Sequence, residues 1–175
     1  MTLKLKRTPG LYLVGFMAVG KTTVGRALAY ELGWPFADID AEIEASEGKP
    51  IAQIFDERGE SAFRDLETEA IRRRVRCIEA GCPCVVALGG GAFAQPRNWD
   101  LIENNGVTVW LDCTIETVRK RLGDDLVRPL ARNREILEQI FRDRRPLYSH
   151  ADFRIKVESD DVGLIVNRIL QLPIF

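Results

Sequence analysis

Leu11-Tyr12-Leu13-Val14-Gly15-Phe16-Met17-Ala18-Val19-Gly20-Lys21-Thr22-Thr23 is the stretch on which the reading of this chain turns. Four apolar residues, 11–14, read as a short buried strand that stops at Gly15. From Lys21 to Leu32 the pattern is helical, and Gly33 supplies a C-terminal stop. Between strand and helix, Gly15 to Thr22 fits G-x-x-x-x-G-K-[ST], a loop that cradles phosphate. The glycines let the backbone pass close to phosphate oxygens and turn its N–H groups inward. The helix that opens at Lys21 offers unsatisfied N–H groups and a positive dipole end to an anion. Ala18, Val19 and Gly20 are therefore expected to line a nucleotide through their main chain. Lys21 is expected to reach the β- and γ-phosphates, Thr22 to join the shell of a Mg²⁺ ion, and Thr23 to touch the α-phosphate. A lysine that is merely solvated is the poorer reading, because a cation at a helix N-terminus opposes the dipole unless an anion is present. Ala18 stands where many such loops carry another glycine, which makes this loop slightly stiffer.

Outward from the loop, short apolar runs alternate with longer amphipathic stretches, the pattern of an α/β fold with a mostly parallel sheet. Strands are expected at 11–14, 35–39, 84–88, 107–111 and 153–157. Helices are expected at 21–32, 41–46, 51–58, 60–80, 99–104, 115–122, 134–144 and 162–172. The longest shows Phe63, Leu66, Ala70, Ile71, Val75 and Ile78 at helical spacing. Residues 123–133 lack apolar periodicity and are expected to be a mobile segment. No repeat, low-complexity tract or linker interrupts the chain, so 1–175 is read as one layered domain.

Composition excludes other classes. A chain of 175 residues, 46% apolar and 29% charged, has enough core to fold and is too apolar to be disordered. A net charge of −1 leaves no global field to hold nucleic acid or an anionic membrane. The apolar runs fall far short of the roughly 20 residues that cross a bilayer. The basic start (Lys4, Lys6, Arg7) is not followed by an apolar run of signal-peptide length, and the expected location is cytoplasmic. Cys77, Cys82, Cys84 and Cys113 lack the paired spacing of a zinc site and read as reduced cysteines in or near strands. Of the 25 basic residues, 19 are arginine, the residue suited to gripping planar anions. Between 119 and 145, nine basic residues face five acidic ones, which reads either as a solvated basic face or as a lobe closing over a polyanion.

The acceptor side is carried by three further groups. In an extended Asp38-Ile39-Asp40, alternation puts both carboxylates on one side. One could serve a metal ion and the other accept a hydrogen bond from a hydroxyl; the plainer alternative makes Asp40 a helix N-cap. Arg64 is either a fork for an anionic group or half of a weak pair with Glu60 or Thr68 one turn away. Gly89-Gly90-Gly91, after a buried run, would let a ligand lie against main chain.

Taken in order, Gly15 to Thr23, Phe36-Ala37-Asp38-Ile39-Asp40, Gly59 to Glu67, Gly89 to Gly91, Arg128-Pro129-Leu130 and Arg144-Arg145-Pro146-Leu147-Tyr148 resemble the shikimate kinases, over most of the chain. The resemblance implies a three-layer P-loop fold with five parallel strands ordered 2-3-1-4-5, helices on both faces and a lid at about 123–133. It implies transfer of the ATP γ-phosphoryl group to the 3-hydroxyl of shikimate, on the way to chorismate and the aromatic amino acids. By position, Lys21, Asp40 and Arg128 are the catalytic residues. Asp38 joins Thr22 at the magnesium, and Arg128 also closes on the ATP phosphates from the lid. Asp40, Arg64, Gly89, Gly90, Gly91 and Arg144 bind shikimate, with Arg145 the neighbouring alternative for the carboxylate, and Arg154 is a candidate near the adenine. The substrate-binding helices fall at about 40–66. ATP and Mg²⁺ are the implied cofactors, shikimate the partner molecule, and a monomer the expected state. A kinase for another small hydroxy acid, of the gluconate or aminoshikimate kind, and a nucleotide-binding homologue without turnover are the competing readings.

Overall fold

The buried run 11–14 becomes the centre of the molecule. In a computed structural model, which describes residues 10–123 and 134–174, strand β1 (Gly10–Val14) is buried along its whole length. It is flanked by β3 (Cys84–Ala87) and β4 (Val107–Asp112), both also buried throughout. A strand covered on both faces and both edges needs near-continuous apolar sequence, and all three supply it. β2 (Phe36–Asp38) and β5 (Phe153–Lys156) close the edges. The sheet is parallel and its order is β2-β3-β1-β4-β5, with Leu13 opposite both Ala87 and Val109. This is the expected order. It brings the carboxyl ends of β1, β2 and β3 side by side, where open α/β sheets bind ligands.

The helices are α1 (Lys21–Leu32), α2 (Ile39–Glu47), α3 (Ile51–Glu79), α4 (Pro96–Ile102), α5 (Ile115–Leu122), α6 (Arg134–Tyr148) and α7 (Val162–Leu170). A short 3₁₀ turn, Ala92–Ala94, follows the glycine triplet. Gly33 ends α1 in the left-handed conformation, and Trp34 N–H returns to the Ala29 carbonyl. Among the described residues no helix is long and apolar enough to cross a membrane. Arg128 and all but the first residue of the lid expected at about 123–133 lie outside the described residues.

Several boundaries shift from expectation, two of them for a clear local reason. The extended run expected through Ile39 stops at Asp38, because the Asp38 carboxylate accepts from the N–H groups of Asp40 and Ala41 and starts α2 there. Asp38, not Asp40, is thus the N-cap. α6, expected to stop at Arg144, runs one turn further through Pro146 to buried Tyr148. α3 is two helical segments, as the sequence suggests, joined at Gly59 with φ 79° and ψ 173°. That conformation is essentially reserved for glycine. It lets 60–79 turn away from 51–58 while both pack beside α2, held by the Arg58–Glu47 pair at 2.9 Å and by Arg74 on Glu42.

A side chain at 59 would meet no atom within 4 Å, so any penalty there is backbone strain alone. Gly59→Ala is expected to lower the free energy of unfolding by about 1–3 kcal/mol with an unchanged urea m-value. A loss below about 0.5 kcal/mol would show that the kink imposes no constraint.

Candidate active site

The first half of the site is the loop between β1 and α1. Gly20 sits in the left-handed conformation at the N-cap of α1, and no side chain caps the helix. Ala18 also has positive φ, 58°, which is strained for a residue with a Cβ and which glycine would relieve. Lys21 folds back over the loop, its Nζ donating to the carbonyls of Gly15 at 2.9 Å and Phe16 at 2.8 Å. Thr22 Oγ1 donates to Asp38 Oδ2 at 2.6 Å. The Asp38 carboxylate therefore does two things: one oxygen starts α2 and the other holds the Thr22 hydroxyl. These residues line a cavity of about 470 Å³ together with Val19, Thr23, Asp40 and Gly90.

One residue of this half escapes the sequence reading. Arg121, near the end of α5, donates from NH1 to the carbonyls of Ala18 at 3.2 Å and Val19 at 2.8 Å. Its other face is tied to Asp160 at 2.7 Å. Asp160's carboxyl is held below its usual range by hydrogen bonds to and the charge of that guanidinium. Arg121 thus braces the loop carbonyls from the cavity side. It belongs to the basic stretch 119–145, but nothing in its spacing separates it from its neighbours. Among the described residues of that stretch, several arginines are already paired. Arg119 is bound to Glu138, Arg121 to Asp160 and Arg145 to Asp112.

The second half is a buried charge cluster behind the glycine turn. Arg64 is 10% exposed at its side chain and Glu67 1%, and they pair at 2.9 Å. Burial pushes the Glu67 carboxyl up, Arg64 opposes that shift, and the nearby Asp40 adds to it. Arg64 is held protonated against its own burial by Glu67 and Glu60. Glu67 Oε1 is buried with no hydrogen-bond partner. A Cβ added at Gly89 would stand 2.6 Å from Asp40 Oδ1 and 2.7 Å from Glu67 Oε1, and one at Gly91 would strike the Arg64 guanidinium. The glycines at 89 and 91 thus make room for the protein's own charges, a use the sequence reading, which saw only a ligand against main chain, did not include. Glu67 is the residue it passed over: it stands three positions after Arg64, on the same helix face, and was quoted only as part of a motif.

Gly90 is where the halves meet. A Cβ there would lie 3.3 Å from Met17 N, 3.8 Å from Gly15 O and 3.6 Å from Arg144 NH1. Tyr148 completes the turn by donating its hydroxyl to the Gly90 carbonyl. Burial pushes that phenol up to about 12, so it stays a donor at neutral pH. The two adjacent arginines of α6 go separate ways. Arg144 stands over the Phe16 ring, 5.9 Å from its centroid, beside Gly90. Arg145 faces Trp110 and Phe141 and is tied to Asp112 at 2.9 Å. Arg154 shares that same Asp112 and the Trp110 face, and does not line the cavity.

The sequence-derived candidates Ala18, Val19, Gly20, Lys21, Thr22, Thr23, Asp38, Asp40 and Gly90 therefore line one cavity. Arg64, Gly89, Gly91 and Arg144 adjoin it at the glycine turn. Such an arrangement can hold a polyphosphate on main-chain amides and a small hydroxylated anion on guanidinium groups, with a carboxylate between them.

Comparison with known proteins points to one family. A family model described as shikimate kinase matches residues 17–172. A shikimate kinase of Persephonella marina is 46% identical over 161 residues, 91% of this chain and 96% of that protein. Another, from a Sulfurihydrogenibium species, is 42% identical over 161 residues, covering 91% and 95%. Among solved structures, a shikimate kinase from Acinetobacter baumannii in complex with shikimate superposes with a TM-score of 0.87 at 36% identity, over 94% of this chain and 92% of that one.

Removing one member of a buried ion pair strands the other, at a cost of about 3–5 kcal/mol. Arg64→Met should cost that much at pH 7.5 by urea unfolding. Glu67's folded pKa is already raised, and rises further without Arg64, so its protonated form is the one the variant's fold favours. Such a group supports folding fully below its unfolded pKa and loses that support as pH climbs through the folded value. The deficit should therefore shrink between pH 7.5 and pH 5. A deficit independent of pH would separate Glu67 from the effect.

Proposed function

The chain belongs to the shikimate kinase family, and we propose that it transfers the γ-phosphoryl group of ATP to the 3-hydroxyl of shikimate, releasing ADP and shikimate 3-phosphate. One observation carries the reading: Gly90 stands between the phosphate loop and the guanidinium of Arg144, so donor and acceptor sites share a wall. Another small hydroxy acid would need the same guanidinium pair, and the relatives favour shikimate.

The amides that open α1 hold the phosphates, and Lys21 leaves the carbonyls of Gly15 and Phe16 for the transferring group. Arg121 keeps those of Ala18 and Val19 turned away from it. Thr22 would hold the Mg²⁺ that accompanies ATP, with Asp38 accepting the threonine proton. The 2.6 Å bond between them already has that polarity. Among the described residues no group of three His, Cys, Asp or Glu side chains could hold a metal by itself. This donor set suits Mg²⁺, which keeps water and phosphate oxygens as its main ligands. When bound, the ion would neutralise charge on the phosphate oxygens.

On the acceptor side, Asp40 accepts a hydrogen bond from the reacting hydroxyl and orients it. The substrate carboxylate lies between Arg64 and Arg144, with Gly89, Gly90 and Gly91 beside the ring hydroxyls. Arg64 begins with its outer edge on Glu60, which is 66% exposed. An exposed pair at this spacing is worth about 0.3–0.5 kcal/mol, whereas a hydrogen bond to a charged group is worth about 1.5–3. Substrate therefore displaces Glu60 and leaves Glu67 in place. Arg128, which lies outside the described residues, closes on the phosphates and helps exclude water. The helices at about 40–66 form the acceptor side of one catalytic domain spanning 1–175. The enzyme works as a monomer in the cytoplasm, where ATP is made available.

ADP should form only when ATP, Mg²⁺ and millimolar shikimate are all present, and Lys21→Ala should abolish it. No ADP above background would overturn the assignment. The two arginines of α6 can be told apart by steady-state kinetics. Arg144→Ala should raise the KM for shikimate about 10- to 150-fold, while Arg145→Ala leaves it within about two-fold. A larger effect at Arg145 would move the carboxylate site to its neighbour.

A further inference from the structure

Four thiols are free; Cys77 and Cys82 are exposed, Cys84 and Cys113 buried. The two exposed thiols share one turn. α3 ends in a Schellman arrangement: Cys82 N–H donates to the Cys77 carbonyl at 3.1 Å and Gly81 N–H to that of Ile78 at 3.0 Å, with Gly81 at φ 97°. This motif folds the chain so that the residue after the left-handed glycine packs on the residue five positions before it, usually as an apolar pair. Here both members of the pair are cysteines. The main-chain bond and standard bond lengths keep their Cα atoms within about 7 Å, at the border of what a disulfide spans.

The surroundings favour these two sulfurs over the others. Burial pushes the Cys84 thiol up, and that of Cys113 up to about 11, which keeps both protonated and inert. The Arg74 guanidinium is close enough to feel Cys77 and Cys84, so a cation stands at this end of α3. Neither Cys77 nor Cys82 lines the cavity described above.

We propose that Cys77 and Cys82 are a two-thiol redox pair that closes an intramolecular disulfide on reaction with a low-molecular-weight disulfide. One thiolate attacks a sulfur of the oxidant, forming a mixed disulfide and expelling one small thiolate. The second cysteine, as its thiolate, then attacks the protein sulfur of that mixed disulfide and expels the other. Both small thiolates take up the protons the cysteines lost, and the two electrons given up by the protein reduce the oxidant to two thiols. The bond staples the turn that joins α3, which carries Arg64 and Glu67, to β3, which leads into the glycine triplet. It leaves the cavity untouched.

The test is oxidised glutathione added to the full chain, followed by intact mass. The expected product is lighter by about 2 Da, carries no adduct and forms at least about ten times faster from the folded chain than from the chain in urea. The loss should persist in Cys84→Ala. Cys77→Ser and Cys82→Ser should instead hold a stable glutathione adduct, and turnover of the oxidised wild-type chain should stay within two-fold of the reduced. A stable adduct on the wild-type chain, a disulfide-linked dimer, disappearance of the mass loss in Cys84→Ala, or closure no faster than in urea would each overturn the proposal.

Discussion

A carboxylate as buried as Glu67 must be answered by a cation, and much of the site follows from that demand. Arg64, one turn away on the same helix, answers it at 2.9 Å. Both side chains are bulky, and they reach the sheet only because residues 89 and 91 have no side chains to obstruct Asp40, Glu67 and Arg64. Arg144 adds a second guanidinium beside Gly90, so two cations and two carboxylates surround one turn. Such a cluster costs desolvation and does little for stability by itself. On the proposed function, its use is to have Arg64 already dry and both guanidinium groups aimed when a small anion arrives, so that little reorganisation is left for the binding step.

The phosphate side rests on a different economy, in which single groups serve two neighbours. Asp38 starts α2 with one oxygen and holds Thr22 with the other. Lys21 and Arg121 between them satisfy four loop carbonyls, those of Gly15, Phe16, Ala18 and Val19. Ala18 keeps a left-handed backbone that a glycine would adopt more easily, a local strain of the kind that collects at functional loops. Because α1 and α2 both leave the carboxyl edge of a parallel sheet, from strands that flank β3, the two halves face one another across the end of β3.

Much of this was legible along the chain. The five strands, the loop and the split of α3 at Gly59 are local patterns: apolar runs of strand length, a spacing of glycines and a lysine, a break in helical period; the strand order came instead from the resemblance to the shikimate kinases. Local patterns fail where a side chain chooses between partners distant in sequence. Asp38 and Asp40 compete for the start of α2, and the winner is the residue whose carboxylate can reach two following N–H groups and Thr22 at once. The helix expected at 134–144 continues through Pro146 because Tyr148 gains a buried anchor on Gly90.

From residues alone came the class of fold, a phosphate loop and a pair of carboxylates beside it, because each of these depends on spacing within about ten positions; the grouping of Arg64 and Arg144 about a small acid came from the ordered motifs that resemble a known family. Only packing in three dimensions could separate Arg144 from Arg145, pick Arg121 out of a basic run and show Glu67 behind Arg64. Adjacent arginines on a helix point about 100° apart. Which direction faces the anion depends on where the sheet places Asp112 and Gly90, and those lie more than thirty residues from the arginines they distinguish.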